Sequence, residues 1–112
     1  MHELSVTRDI IAIVSDAAKG RRVCGVTLEV GKLTCVSAGA IAFAFEAGSQ
    51  GTMLEGASLD IREIAGRARC EDCGAEFTMQ TLYDACPCGS RRLKRLAGEE
   101  LNVKSIEIEE AA

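Results

Sequence analysis

The chain has 112 residues, of which 47% are hydrophobic and 27% charged, and its formal net charge is −4. This length and apolar content fit one compact domain with a core, and they exclude wholesale disorder. The negative charge and an aromatic content of 4% argue against a nucleic-acid binder, which needs a basic surface and stacking side chains. The apolar runs are shorter than the roughly 20 residues that cross a bilayer.

Six cysteines occur in the chain, and its first ten residues, MHELSVTRDI, lack the basic segment of a secretory signal. We therefore expect a reducing, cytoplasmic compartment. In such a compartment clustered thiols hold metal more often than they form disulfides.

Two helices are predicted in the first half of the chain. Apolar residues recur at helical spacing over residues 4–19, and Gly20 is a natural end. Ser37 can cap a second helix, which Gly48 and Gly51 end. The expected apolar faces hold Leu4, Ile10, Ile11, Val14, Ala17 and Ala18 in the first helix and Ile41, Ala44 and Phe45 in the second.

Three segments alternate between apolar and polar residues, as half-buried strands do. They cover residues 24–30, 57–64 and 101–109, and a turn at Gly31-Lys32 should close the first. In the third the apolar phase changes near Lys104-Ser105, which predicts a bulge in one strand. Since a strand needs a sheet, the tail must return to the main part of the protein.

Residues 66–95, here called the cysteine lobe, differ in composition from the rest. They hold six basic and four acidic side chains, four of the six cysteines and the only proline. We therefore predict an α/β fold of the α+β kind. A small sheet with two helices, built from residues 1–65 and 96–112, is interrupted by a zinc-ribbon-like lobe.

The cysteine lobe carries two cysteine pairs, each followed by a glycine. Four thiolates satisfy tetrahedral zinc, and a metal would supply the stability that this lobe's few large apolar residues cannot. The second pair has one intervening residue instead of two, so it must lie in a tight turn if its sulfurs are to approach within about 3.8 Å. Two disulfides or unligated thiols are the alternative. The candidate ligands are Cys70, Cys73, Cys86 and Cys88.

The basic side chains of the cysteine lobe could form a small patch for a phosphate backbone. A solvated surface is the favoured interpretation. These residues are Arg67, Arg69, Arg91, Arg92, Lys94 and Arg95.

The amino terminus offers a second set of metal donors. The chain's one histidine is His2, and a bulky second residue keeps the initiator methionine in place. The Met1 amine, the His2 backbone nitrogen and imidazole, and the Glu3 backbone nitrogen can form a planar set. Such nitrogen-rich planar coordination suits Ni(II) and Cu(II), and the residues alone do not name the metal.

Several short segments, together with the cysteine pairs between them, resemble the HypA/HybF family of hydrogenase nickel maturation chaperones. The resemblance covers essentially the whole chain in the expected order. These segments are MHELS at 1–5, VTLEVG at 26–31, FAFE at 43–46 and GEELNVK at 98–104.

The resemblance implies a metallochaperone without catalytic activity, which delivers nickel to the [NiFe]-hydrogenase large subunit together with a nickel-handling GTPase. Met1, His2 and Glu3 would form the nickel site. His2 would be the principal nickel ligand, with the Met1 amine and the nearby backbone nitrogens beside it, and Glu3 would be a local modulator or would contact the ligands from outside. The resemblance leaves open whether urease maturation proteins are also partners. The paired cysteines would form the zinc site, although the family usually spaces the second pair by two residues.

Two other functions remain as alternatives. One is a zinc-ribbon module for protein or nucleic-acid interaction, without nickel delivery. The other is a thiol enzyme that uses Cys24 or Cys35, although no base accompanies either cysteine in the sequence. Cys24 is more simply a small core residue on the apolar face of its strand, and the role of Cys35 is open.

Overall fold

The computed structural model describes residues 3–110. Within them, two helices and two small sheets confirm the predicted α+β fold. The helices are α1 (Glu3–Ala18) and α2 (Ala38–Gly48), and a short 3-10 helix spans Lys32–Thr34. The strands are β1 (Val23–Gly31), β2 (Ser58–Ile64), β3 (Gly66–Cys70), β4 (Glu76–Met79), β5 (Leu93–Ala97) and β6 (Leu101–Ile108).

The first sheet, the main sheet, has the order β2-β1-β6, with β2 parallel and β6 antiparallel to β1. Val26, Leu28 and Val30 of β1 are exposed by 2% or less. They belong to one core cluster with apolar residues of both helices, so α1 and α2 cover the same face of this sheet. The predicted return of the tail to the main sheet is confirmed.

The predicted bulge in the tail is also confirmed. Thr27 pairs with Ser105 and Leu28 with Val103, so Lys104 is an extra residue between them. Such an insertion moves the following side chains to the opposite phase. Half-buried Val103 and Ile106 therefore both pack against the core although they are three residues apart.

The interpretation of Cys24 as a core residue is wrong. The register between β1 and β6 also shifts between Val23 and Gly25. Because of this second shift Val23 is 1% exposed and fills the core, while Cys24 is exposed. The alternation that begins at Val26 does not extend back to Cys24.

Helix α1 packs with a slightly different face from the predicted one. Ile10, Val14 and Ala18 are buried as expected, together with Val6 and Thr7. Leu4, in contrast, is 54% exposed, and Ala17 is exposed as well. Thr7 is tolerated inside because its hydroxyl donates to the Glu3 carbonyl oxygen at 2.7 Å.

Helix α2 begins as predicted. The Ser37 hydroxyl oxygen accepts a hydrogen bond from the Ala40 backbone nitrogen at 3.2 Å. Ile41 and Phe45 are buried against the core and Ala44 is half-buried, so the predicted face is the packed one.

The second sheet, the lobe sheet, has the order β4-β3-β5 and is antiparallel throughout. Its buried core is small and comprises Leu33, Ala68 and Met79. Leu33 does not come from the cysteine lobe at all. It lies on the 3-10 helix that follows β1, where the sequence predicted only a turn at Gly31-Lys32.

Two glycines bring the sheets together at Leu33. The Leu33 backbone nitrogen donates to the Gly98 carbonyl oxygen at 2.9 Å. A Cβ placed on Gly31 would lie 2.0 Å from the same oxygen, so only glycine fits there. The two sheets are thus joined by close backbone packing.

Within residues 3–110, neither α-helix has the length and apolar character needed to cross a bilayer.

Candidate metal centre

The four predicted zinc ligands lie together at one end of the lobe sheet. The Sγ atoms of Cys70, Cys73, Cys86 and Cys88 all lie within 4.8 Å of one another. Cys70 and Cys88 approach to 3.7 Å between sulfurs, and Cys73 and Cys86 approach to 3.5 Å. Sulfurs on one zinc tetrahedron are about 3.8 Å apart, so the donor set fits zinc.

The first cysteine pair lies at the end of β3, where Cys70 is the last residue of the strand and Cys73 lies in the turn that follows. The Gly74 backbone nitrogen donates to the Cys70 carbonyl oxygen at 2.9 Å, and Gly74 adopts a φ of +79°. This reversal points the Cys73 backbone nitrogen at the Cys70 sulfur, 3.4 Å away. An amide that donates to a sulfur stabilises the thiolate form that a metal requires.

The second pair forms an equivalent turn despite its shorter spacing. The Gly89 backbone nitrogen donates to the Cys86 carbonyl oxygen at 2.7 Å, with Gly89 at a φ of +94°. The Cys88 backbone nitrogen lies 3.5 Å from the Cys86 sulfur. A single residue between the cysteines is therefore enough, because the chain reverses instead of extending.

Cys70 and Cys86 differ in pKa. The Cys73 amide lowers the pKa of Cys70 to about 6, against the opposing effect of burial. The Cys88 amide acts in the same way on Cys86, but burial and the neighbouring thiols outweigh it and raise the pKa of Cys86 to about 12. Cys70 is thus largely a thiolate near neutral pH, whereas a cation that binds Cys86 must displace its proton.

Exposed polar side chains link the two cysteine-bearing turns at the protein surface. The Asp72 carboxylate accepts a short hydrogen bond from the Ser90 hydroxyl and another from Arg92 at 3.2 Å. The Glu71 backbone nitrogen donates to the Arg92 carbonyl oxygen at 2.8 Å. These side-chain contacts were not predicted, because Asp72 lies 18 residues from Ser90 and 20 residues from Arg92 in the sequence.

Half of the basic side chains proposed for a phosphate patch are engaged within the protein. Arg92 pairs with Asp72, Arg95 pairs with Glu99 at 2.6 Å, and the Arg67 guanidinium donates to Thr78 at 3.1 Å. These contacts favour the solvated-surface interpretation.

Of the residues predicted at the amino-terminal site, Met1 and His2 lie outside the described residues. Glu3 is the first residue of α1, and its carboxylate Oε2 accepts a hydrogen bond from the Ser37 backbone nitrogen at 3.0 Å. Cys35 lies two residues before Ser37, is exposed, and has a φ of +60°.

Comparison with known proteins decides the family. Residues 1–108 match the family described as HypA, "Hydrogenase/urease nickel incorporation, metallochaperone". The chain belongs to the HypA family. A HypA hydrogenase maturation factor from Nostoc sp. is 49% identical over 110 residues, which cover 98% of this chain and 97% of that protein. One from Geobacter metallireducens is 46% identical, with 97% and 100% covered.

The fold agrees with that of a solved HypA. The solution structure of the Ni metallochaperone HypA from Helicobacter pylori superposes with a TM-score of 0.68 at 25% identity and covers 96% of this chain and 97% of that one. The resemblance predicted from the sequence is therefore confirmed. HypA proteins are metallochaperones, so the prediction that the chain is not an enzyme is confirmed by the family.

Proposed function

We propose that this protein is a cytoplasmic nickel metallochaperone. It binds Ni(II) at its amino terminus and helps to insert the ion into the [NiFe]-hydrogenase large subunit, together with a nickel-handling GTPase. The observation that carries the proposal is the HypA match from residue 1 to residue 108, because it includes the Met-His-Glu terminus.

Nickel is the cargo, and the proposed donors follow from the chemistry of the terminus. The Met1 amine, the His2 imidazole and the nearby backbone nitrogens supply a planar nitrogen-rich set, which suits Ni(II). Zinc prefers a tetrahedron of softer donors, which the four cysteines offer. The two metals would thus be separated by donor type and geometry.

Zinc at Cys70, Cys73, Cys86 and Cys88 would have a structural role. Four thiolates close its coordination sphere and leave no position for a substrate. The proposed division is a nickel-binding domain of residues 1–65 and 96–112 and a zinc lobe of residues 66–95. The small core of the lobe sheet supports this role, since three buried residues give little burial energy.

Nickel titration of three forms of the protein tests the proposal. We expect one planar Ni(II) per chain for the native terminus, and much weaker binding for His2→Ala and for a tag fused before Met1. A tag at the carboxyl end is the matched control and should leave binding unchanged. Zinc content should be the same in all four proteins. Equally tight binding by all of them would place the nickel elsewhere.

The pH dependence of nickel binding provides a further check. Binding should weaken as the pH falls, because protons compete for the amine and the imidazole, whose ordinary pKa values are about 8 and about 6.5.

In cells, His2→Ala should lower [NiFe]-hydrogenase activity, and excess nickel should restore part of it. Urease activity in the same cells decides whether a second nickel enzyme is served.

A further inference from the structure

The four-sulfur cluster has a buried half and an exposed half. Cys70 and Cys86 are 1% and 4% exposed, whereas Cys73 and Cys88 are exposed. Each turn thus contributes one buried and one exposed thiol, and in each close sulfur contact a buried thiol of one turn meets an exposed thiol of the other. A chelator in solvent meets the exposed thiols first. Release of a bound metal should therefore begin when Cys73 or Cys88 moves away from the opposite turn.

A set of side-chain contacts connects the two turns next to these exposed thiols. Asp72 precedes Cys73, and Ser90 follows Cys88 by two residues. The Asp72 carboxylate accepts from the Ser90 hydroxyl through Oδ2 and from the Arg92 guanidinium through Oδ1 at 3.2 Å. Each carboxylate oxygen therefore has its own partner. The three side chains of Asp72, Ser90 and Arg92 are here called the clasp.

The clasp is attached to the backbone of the second turn through Ser90. The Ser90 carbonyl oxygen accepts from the Cys86 backbone nitrogen at 2.9 Å. The Ser90 hydroxyl, which donates to Asp72, also accepts from the Arg92 backbone nitrogen at 3.1 Å. These bonds fix the direction of the hydroxyl, so a movement of the second turn away from Asp72 must break the contact between them.

A backbone contact connects the same segments independently of the clasp. The Glu71 backbone nitrogen donates to the Arg92 carbonyl oxygen at 2.8 Å, and no side chain takes part in this bond. Substitutions in the clasp therefore remove the side-chain contacts while the backbone bond remains possible. The contribution of the clasp can be measured in a lobe that keeps its fold.

We propose that the clasp slows the release of zinc by holding the two cysteine-bearing turns together. The proposal rests on the four-cysteine zinc site proposed above. Groups that hydrogen-bond around a metal site orient its ligands and raise the affinity for the metal. An exposed thiol that detaches stays near the metal and rebinds, because Asp72 ties the first turn to Ser90 of the second. In a nickel chaperone, such retention keeps the structural metal in place while the cargo metal is transferred.

Zinc transfer to a chromogenic chelator tests the clasp. We expect the rate of transfer to rise about three- to tenfold in Asp72→Ala and in Ser90→Ala, since exposed hydrogen bonds and ion pairs contribute modestly. Asp72→Asn keeps an oxygen that can accept from Ser90 and should release zinc more slowly than Asp72→Ala. Glu76→Ala is the matched control and should keep the wild-type rate, because Glu76 is an exposed carboxylate of the same lobe that lies on β4, outside the clasp.

A double variant tests whether the side chains act through their shared contact. If they do, Asp72→Ala/Ser90→Ala should release zinc no faster than Asp72→Ala, since the single substitution already breaks the contact. Two effects that multiply in the double variant would mean that the side chains act independently, and would overturn the clasp.

Substitution of Co(II) for zinc tests whether Asp72 is instead a ligand. The visible spectrum of tetrahedral Co(II) bound to thiolates should be the same in the wild type and in Asp72→Ala. A shifted spectrum would assign the carboxylate to the metal and contradict a positioning role.

The remaining outcomes separate the clasp from the proposed zinc site. Wild-type protein that binds no zinc would overturn both. Zinc-loaded wild type, Asp72→Ala and Ser90→Ala that release the metal at one rate would overturn the clasp and leave the four-cysteine site standing. Zinc content and thermal melting before the chelator is added show whether each variant is folded. If Asp72→Ala fails to fold, the comparison of Asp72→Asn and Ser90→Ala with Glu76→Ala decides the question.

Discussion

The main sheet and the lobe sheet have three strands each but are stabilised in different ways. The main sheet and its two helices share a cluster of eleven buried apolar residues. The corresponding cluster beneath the lobe sheet has three buried apolar residues. Burial of apolar surface can hold the first region together, whereas the second needs the bonds of a metal site. The same strand count therefore does not imply the same source of stability.

The two regions are nevertheless not independent. Leu33, one of the three buried residues under the lobe sheet, is 3% exposed and belongs to the segment that follows β1. The close backbone approach of Gly31 and Gly98 fixes it there. A change at this joint should therefore affect both sheets, while a change far from it should affect only one.

The largest expected effect is the loss of the main sheet on deletion of residues 100–112. This deletion removes β6, the antiparallel partner of β1, and exposes the core side chains beneath it. We expect insoluble protein or protein without a cooperative melting transition. Deletion of residues 109–112 is the control, because it leaves β6 whole. A soluble protein lacking residues 100–112 with the original melting behaviour would show that β6 is dispensable.

A second experiment perturbs the cysteine lobe instead of the main sheet, by removing one thiol. We expect Cys73→Ala to lose the zinc and to make residues 66–95 sensitive to protease, while the main sheet persists. Zinc analysis and limited proteolysis measure the two effects. Cys35→Ala is the control, since Cys35 is exposed and lies outside the four-sulfur cluster. Full zinc occupancy in Cys73→Ala would contradict the ligand assignment.

A methyl group at the joint should destabilise both regions together. In Gly31→Ala the new Cβ would lie 2.0 Å from the Gly98 carbonyl oxygen and 2.6 Å from the Glu99 nitrogen, so the backbone must move. We expect a loss of about 3 kcal/mol in the free energy of unfolding. Gly39→Ala is the matched control: its Cβ would meet only the Ser37 hydroxyl oxygen at 3.9 Å. Equal stabilities in a denaturant titration would argue against the close packing.

The smallest effect concerns one loop of the cysteine lobe. The Asp84 carboxylate accepts from the Gln80 backbone nitrogen at 2.6 Å and from the Thr81 hydroxyl at 2.8 Å. These bonds hold the pKa of Asp84 below its ordinary value of 3.8. The two hydrogen bonds need the ionised carboxylate. Their stabilising effect on the loop is therefore complete above pH 3.8 and is lost as the pH falls through the lowered pKa of Asp84.

Hydrogen exchange of the Gln80 and Thr81 amides measures this effect. Exchange should be faster in Asp84→Ala than in the wild type near neutral pH, and the difference should vanish in acid. Asp16→Ala, on α1 and outside the cysteine lobe, is the control. A difference that persists in strong acid would mean that the carboxylate charge is not the cause.

Local patterns were enough to predict much of the fold and the cysteine site. Helical periodicity and the Ser37 cap located α2, and the change of phase at Lys104 located the bulge, because both depend on neighbours in sequence. The two cysteine pairs with their glycines predicted the four-sulfur cluster for the same reason. Where the physical constraint lies within a few neighbouring residues, the local sequence is enough to predict the structure.

Other features depend on contacts between distant segments and could not be predicted from local patterns. Cys24 is exposed because β6 sets the register of β1, and Leu33 is buried because the lobe sheet folds over it. The contact between Glu3 and Ser37 requires the two helices to pack with their amino-terminal ends together. Each of these features joins segments that are far apart in sequence. The periodicity of one segment does not indicate which other segment packs against it, or in which register.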